Sequence, residues 1–182
     1  MTTDIRAPSP AVTIRRLGAR EAAASVPALA DVLIDCVQGG ASVSFMLPIA
    51  RATAQDFWHR VAQGVAAGER LLLVAEDGEG RIAGTVQLIV AQPENQPHRA
   101  DVAKMLVHRQ ARRRGIAQQL MAAVDDAARA EGKTVLVLDT VTGGDDERLY
   151  ERAGWQRVGV VPDYALMPDG AFCGTTFFCK RI

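Results

Sequence analysis

Apolar and polar positions alternate in two distinct rhythms along this chain, and the change of rhythm predicts its elements. Val12 to Arg15 is a short first strand. A helix begins near Pro27, because proline suits a first turn whose N–H groups have no partner. Leu29, Val32, Leu33 and Cys36 fall on one face of it, and Gly39-Gly40 stops it. A second helix spans about Ile49 to Gly68, with Phe57, Trp58 and Val61 facing inward. The period then shortens to two. Leu71 to Glu76 and Arg81 to Ala91 read as strands joined by the hairpin turn Asp77-Gly78-Glu79-Gly80. Residues 92–99 form a loop punctuated by proline, and Asp101 to Val107 forms another strand. Ile116, Leu120, Val124 and Ala128 repeat at four-residue spacing and predict a helix over 116–131. Thr134 to Asp139 is the near-continuous apolar run of a strand buried on both faces. A short helix over 145–153 and strands over 155–161 and 175–179 complete the chain.

The predicted order β-α-α-β-β-β-α-β-α-β-β indicates an α/β (α+β) domain with one mixed sheet. Residues 101–139 form a βαβ unit, so its two strands should be parallel. Residues 1–11, rich in Pro and Ser, are expected to be a mobile tail, leaving 12–182 as one domain. A length of 182 residues, 48% apolar and 23% charged, supports a packed core. Lys plus Arg equals Asp plus Glu, 21 each, which argues against a dedicated nucleic-acid binder. Three cysteines, Cys36, Cys173 and Cys179, without metal-ligand spacing give neither a disulfide framework nor a zinc site. No apolar run has the length of a membrane span, and MTTDIRAPSP lacks the apolar core of a signal peptide. A soluble, reduced, cytoplasmic protein without a membrane partner is expected.

The segment HRQARRRG, His108 to Gly115, carries the chemistry. It packs four arginines where a strand ends and a helix begins. A helix N-terminus already bears roughly half a positive charge, so arginines there are repelled unless an anion binds. Free N–H groups, the helix dipole and guanidinium groups together would grip a phosphate. Gly115 would let such a ligand approach the backbone. A solvated basic turn is the alternative. Two phosphate motifs are excluded. The turn holds one glycine, so the dinucleotide fingerprint is absent. Gly132-Lys133-Thr134 imitates a P-loop but has Ala127 where glycine is required and a strand where a helix should follow.

Arg112-Arg113-Arg114-Gly115-Ile116-Ala117, after Met105-Leu106-Val107 and opening a helix, resembles the pyrophosphate loop of the GNAT superfamily of acyl-CoA-dependent N-acetyltransferases. Tyr150-Glu151-Arg152-Ala153-Gly154-Trp155 resembles the same family's Tyr-x-x-x-Gly-Phe/Trp signature. GGASVSFM, HRADVAKMLV, VLVLDT and DYALMPDG narrow the likeness to the tabtoxin-resistance acetyltransferases, which acetylate a β-lactam amino-acid toxin. That group has glutamate where this chain has Asp101, one methylene shorter.

The resemblance implies a single-domain GNAT-like fold with a mixed, mostly antiparallel sheet. It implies acetyl-CoA as co-substrate, no metal, and a small-molecule amine as acceptor. Met105, Leu106 and Val107 would pair their backbone with the pantetheine arm. Arg112, Arg113, Arg114, Gly115, Ile116, Ala117 and Gln118 would hold the cofactor's phosphates. Tyr150 would be the general acid near the thioester sulfur, with Asp139 and Asp101 as the candidate bases. An alkylamine, with a pKa of about 10.4, arrives protonated, so a carboxylate or a water must take its proton. Gly40, Ala41, Ser42, Val43 and Phe45 would line the acceptor pocket. Structural alternatives stand beside these roles: Asp139 capping a turn, Asp101 pairing with a surface arginine, and Tyr150 packing beside Trp155. Asp125-Asp126 and Asp145-Asp146 read as solvated pairs or a helix start. A protein or peptide N-acetyltransferase and a non-catalytic acyl-CoA-binding module are the rival functions. A homodimer is compatible with the sequence.

Overall fold

A computed structural model describes residues 12–182, so the tail expected over residues 1–11 lies outside the described residues. The elements are β1 (Thr13–Leu17), α1 (Ala19–Ala24), α2 (Val26–Gln38), α3 (Arg51–Ala66), β2 (Arg70–Glu76), β3 (Ile82–Ile89), β4 (Arg99–Val107), α4 (Ile116–Ala130), β5 (Val135–Val141), α5 (Asp145–Arg152), β6 (Gln156–Leu166) and β7 (Phe172–Arg181). The strands form one seven-stranded sheet in the order β1-β2-β3-β4-β5-β7-β6. Every neighbouring pair is antiparallel except β4 and β5, the ends of the expected βαβ unit.

The strands β2 and β3 are buried on both faces, whereas the edge strand β6 is exposed. On one face Leu71, Leu73 and Ala75 of β2 pack with Ile116, Leu120, Val124 and Ala128 of α4, the residues whose four-residue spacing predicts that helix. On the other face Leu72 and Val74 pack with Leu29, Leu33 and Cys36 of α2 and with Trp58 and Val61 of α3. Strict alternation along β2 therefore feeds two cores. Gly84 on β3 sets how closely they meet. A Cβ there would lie 2.9 Å from the Leu106 carbonyl oxygen and 3.2 Å from Ile116 Cγ2. Glycine thus lets α4 and the end of β4 settle against β3.

Three departures from the sequence expectation have physical causes. Residues 18–38 hold two helices rather than one. The first is six residues long and is fixed by Glu21, whose carboxylate accepts from the Gly18 backbone N–H at 2.9 Å and from Arg15 at 2.6 Å. β6 continues past Pro162 to Leu166. It is the edge strand, and the register shifts between Val161 and Ala165, so proline interrupts no central ladder. Asp125 is not solvated: its carboxylate binds Lys180 of β7, whose ammonium also donates to the Ala153 carbonyl at 2.7 Å. Among the described residues, no helix is long and apolar enough to cross a membrane.

Candidate active site

Among the described residues, the only parallel pairing of the sheet is also its shortest. β4 and β5 pair through Arg99, Ala100 and Asp101 with Val135, Leu136 and Val137, and then part. Beyond that point β4 runs on to Val107 and β5 to Val141. β4 also bulges. Ala103 pairs with Gln87 and Leu106 with Thr85, leaving Lys104 and Met105 out of the register, and Lys104 has φ of +52°. The parting strands leave backbone groups of β4 facing a cleft instead of a neighbour.

Two adjoining cavities fill the cleft. The first, about 610 Å³, lies between β4 and β5 and under the loop that follows α2. All five expected acceptor-site residues, Gly40, Ala41, Ser42, Val43 and Phe45, line it, together with Asp139 and Tyr150. The loop is held over the cleft by the β6–β7 hairpin. Ser42 Oγ donates to the Leu166 carbonyl at 2.8 Å, and the Leu47 N–H donates to the Pro168 carbonyl at 2.9 Å. Tyr164, Ala165 and Leu166 of that hairpin complete the wall. The composition of that hairpin does not reveal this contribution, because β6 reaches the cleft only by continuing beyond Pro162.

The second cavity, about 620 Å³, runs from the end of β4 to the N-terminus of α4. Met105, Leu106, Val107, Arg112, Arg113, Gly115, Ile116, Ala117 and Gln118 line it, and Arg114 does not. A short 3-10 turn, Arg109–Ala111, leads into the loop. Asp35 on α2 anchors it, accepting from the Arg109 backbone N–H at 2.7 Å and from Arg109 Nε at 2.9 Å. Burial pushes the Asp35 carboxyl up, but the Arg109 backbone and guanidinium, with the charges of His108 and Arg109, bring it below the usual carboxylate range. Arg113 and Gly115 are left-handed, with φ of +61° and +74°, and Gly115 caps α4. Left-handed residues in such a loop curl successive N–H groups toward one point, as in anion-binding concavities. With exposed guanidinium groups on the same rim, these residues suit a phosphate, and the open edge of β4 suits an extended arm.

Tyr150 sits on α5 with its ring buried against Trp155 and Phe178, at centroid distances of 6.2 Å and 5.8 Å. The packing reading describes its ring, and the same residue also lines the first cavity. Burial pushes the phenol well above its ordinary pKa, and the charges of Asp146 and Asp139 add to this. Asp101 is not brought to either cavity. It stands at the last paired position of β4 and binds the Arg99 guanidinium and, at 3.1 Å, Gln92 Nε2. The alternative of a pair with an arginine fits these contacts, although Arg99 and Asp101 are half-buried rather than on the surface.

Two residues that the sequence does not single out enter the site. Lys104, between the apolar residues Val102, Ala103 and Met105 of β4, turns into the first cavity at the bulge. Its ammonium donates to Ser44 Oγ at 3.0 Å and lies 5.9 Å from the centre of the Phe57 ring. Burial holds its pKa below the ordinary lysine value, opposed by the charge of Asp139. Asp146, read with Asp145 as a solvated pair or a helix start, is exposed in the first turn of α5, and from there it lines both cavities. Desolvation raises its carboxyl above the usual range, opposed by Arg112 and reinforced by Asp145. Among the described residues, no cluster of three or more His, Cys, Asp or Glu could hold a metal ion.

Comparison with known proteins bears on the fold. The family model described as "Acetyltransferase (GNAT) domain" matches residues 68–157, which include the bulged strand, the arginine loop and Tyr150. The fold is that of the GNAT acetyltransferases. Over 113 residues the chain is 35% identical to an uncharacterized N-acetyltransferase from the hisH-hisA intergenic region of Azospirillum brasilense. That match takes in 61% of this chain and 65% of the length of that relative. Among solved GNAT-like structures, a ribosomal-protein-alanine N-acetyltransferase from Brucella melitensis superposes with a TM-score of 0.75 at 23% identity, covering 93% of this chain and 99% of the other. The Salmonella typhimurium protein yncA, solved with its cofactor acetyl-CoA, gives a TM-score of 0.75 at 18% identity, with 94% of each chain covered.

Proposed function

We propose that this chain is an N-acetyltransferase that moves acetyl from acetyl-CoA to the primary amine of a small molecule by direct attack. One observation carries the reading: two cavities meet where β4 and β5 part, one built for an anion and an extended arm, the other lined by Asp139, Lys104 and Tyr150. In the second cavity the Arg112–Gly115 loop and the first turn of α4 bind the pyrophosphate, and the free backbone of Met105–Val107 binds the pantetheine arm. A β4 backbone N–H polarises the thioester carbonyl. In the first cavity Asp139 holds the acceptor's ammonium group beside that carbonyl. Tyr150, kept protonated by its burial, donates to the departing thiolate.

The size and the tied-down roof of the first cavity favour a compact acceptor over a protein segment. The residue patterns further favour an amino-acid-like acceptor of the kind the tabtoxin-resistance enzymes use. Acetylation of a peptide N-terminus is the second reading, favoured by the superposition on the ribosomal-protein-alanine enzyme. The test is thiol release from acetyl-CoA, screened over amino acids, aminoglycosides, polyamines and peptides. Turnover restricted to peptides replaces the first reading with the second. Binding of CoA, seen as thermal stabilisation, with no turnover on any amine leaves an acyl-CoA-binding module.

A further inference from the structure

The transfer reading requires two substrates to meet, and they can meet only where their cavities share a wall. Five residues line both cavities: Gly40, Ala41, Val43, Met105 and Asp146. Four of these have no titratable side chain. Asp146 is also four residues before Tyr150 on α5, so the two side chains lie one above the other on one face of the helix. The other carboxylates are placed differently. Asp139 lines the acceptor cavity alone, where the Lys104 ammonium offsets its charge, and Asp101 lines neither cavity.

We propose that Asp146 is the general base of the reaction, taking the proton from the acceptor amine at the junction of the two cavities. The proposal rests on the acetyl-transfer reading. Arg112 faces the carboxylate from the strand-to-helix loop, and Asp145 and Tyr150 face it from its own helix. The carboxylate is open to the cleft, where its proton can leave to solvent, and the surrounding protein still raises it above the usual range, desolvation outweighing the opposing arginine.

The proton and electron balance is as follows. The ammonium loses one proton to the Asp146 carboxylate, which releases it to solvent. The neutral nitrogen uses its lone pair to form the C–N bond to the thioester carbon. The C–S bond breaks, its electron pair stays on sulfur, and the Tyr150 hydroxyl protonates that sulfur. The second nitrogen proton passes to Asp146 and from there to the Tyr150 oxygen one helical turn away. Amide, free thiol and one solvent proton result, and both side chains return to their starting states.

The experiment compares wild type, Asp146→Asn and Asp146→Glu in thiol release from acetyl-CoA with the best amine from the screen, between pH 6 and 10, with CoA affinity measured by calorimetry. Asp146→Asn should lower kcat roughly 10²- to 10⁴-fold at neutral pH, with CoA affinity within about twofold of wild type, since a change confined to kcat marks a transition-state role. Its residual rate should rise about tenfold per pH unit up to the amine's own pKa, because solvent must then supply the neutral amine. Asp146→Glu should recover part of the rate and the wild-type profile. An Asp146→Asn enzyme with unchanged kcat and pH profile overturns the proposal. So does a loss confined to CoA affinity, which would make Asp146 a holder of the pantetheine arm. Wild-type protein that releases no thiol with any amine overturns the acetyl-transfer reading itself, and the base role with it.

Discussion

Asp35 and Arg109, 74 residues apart, are joined twice: one carboxylate oxygen accepts from the Arg109 backbone N–H at 2.7 Å and the other from its guanidinium at 2.9 Å. The pair fixes the start of the arginine loop to α2, so a helix on one face of the sheet sets the backbone of that loop on the rim of the second cavity. Asp35→Asn keeps the shape and removes the charge. It should weaken CoA binding several-fold, read by calorimetry, and destabilise the fold by about 1.5–3 kcal/mol, the range for hydrogen bonds to charged groups. The sign of the pH effect follows from the native carboxyl lying below its unfolded value. The stabilisation is present above about pH 4, the unfolded value. It is lost as pH falls through the lower native value. The gap in melting temperature between wild type and Asp35→Asn should therefore close on acidification.

Gly115 combines a left-handed backbone with the N-cap of α4. A Cβ there meets only Gln119 Nε2, at 3.9 Å, so space does not forbid a side chain; the φ of +74° does. Gly115→Val should cost about 1–3 kcal/mol through backbone strain. It should also lower CoA affinity about tenfold or more, a binding loss of at least about 1.4 kcal/mol, because the branched carbon stands where a phosphate approaches. Calorimetry beside a thermal melt separates the two effects. A melt lowered by strain with CoA affinity intact would remove the loop from the binding site.

Legibility differed sharply between the sheet's centre and its edges. The α4 face, the β2–β3 hairpin and the parallel βαβ unit were readable because each repeats over enough residues for one period to dominate. The arginine loop was readable because like charges crowd a helix N-terminus, which an empty site would not favour. α1 was not, since six residues hold less than two turns of periodicity. The reach of β6 was hidden by Pro162, whose interruption of the strand is tolerated only because the strand is at the edge. The functional place of Asp146 was hidden for a different reason. Its neighbours in sequence are polar, and only the parting of β4 from β5, a tertiary feature, puts it on the wall of two cavities.

Asp139 and Lys104 face each other electrostatically in the acceptor cavity. Asp139→Asn should raise the acceptor KM about tenfold or more, the equivalent of losing one charge-assisted contact of about 1.5–3 kcal/mol. The KM for acetyl-CoA should stay near wild type, because Asp139 does not line the second cavity. Steady-state kinetics with each substrate varied in turn gives the comparison. An unchanged acceptor KM would mean that the amine binds elsewhere in the cleft.

Tyr150→Phe isolates one oxygen atom. The ring stays against Trp155 and Phe178, so stability should change by no more than about 0.5–1.5 kcal/mol, the range of a single hydrogen bond. If the hydroxyl protonates the leaving sulfur, kcat should fall roughly 10²- to 10⁴-fold. The CoA dissociation constant should hold, because the contact matters only as the C–S bond breaks. The pH profile separates this defect from loss of a base. The phenol's pKa is raised, so it stays protonated throughout an assay between pH 6 and 9. Its removal should lower the whole profile without changing its shape, whereas loss of a carboxylate base should tilt the profile toward high pH. A Tyr150→Phe enzyme with full kcat would leave the phenol a packing residue and shift protonation of the thiolate to water in the cleft.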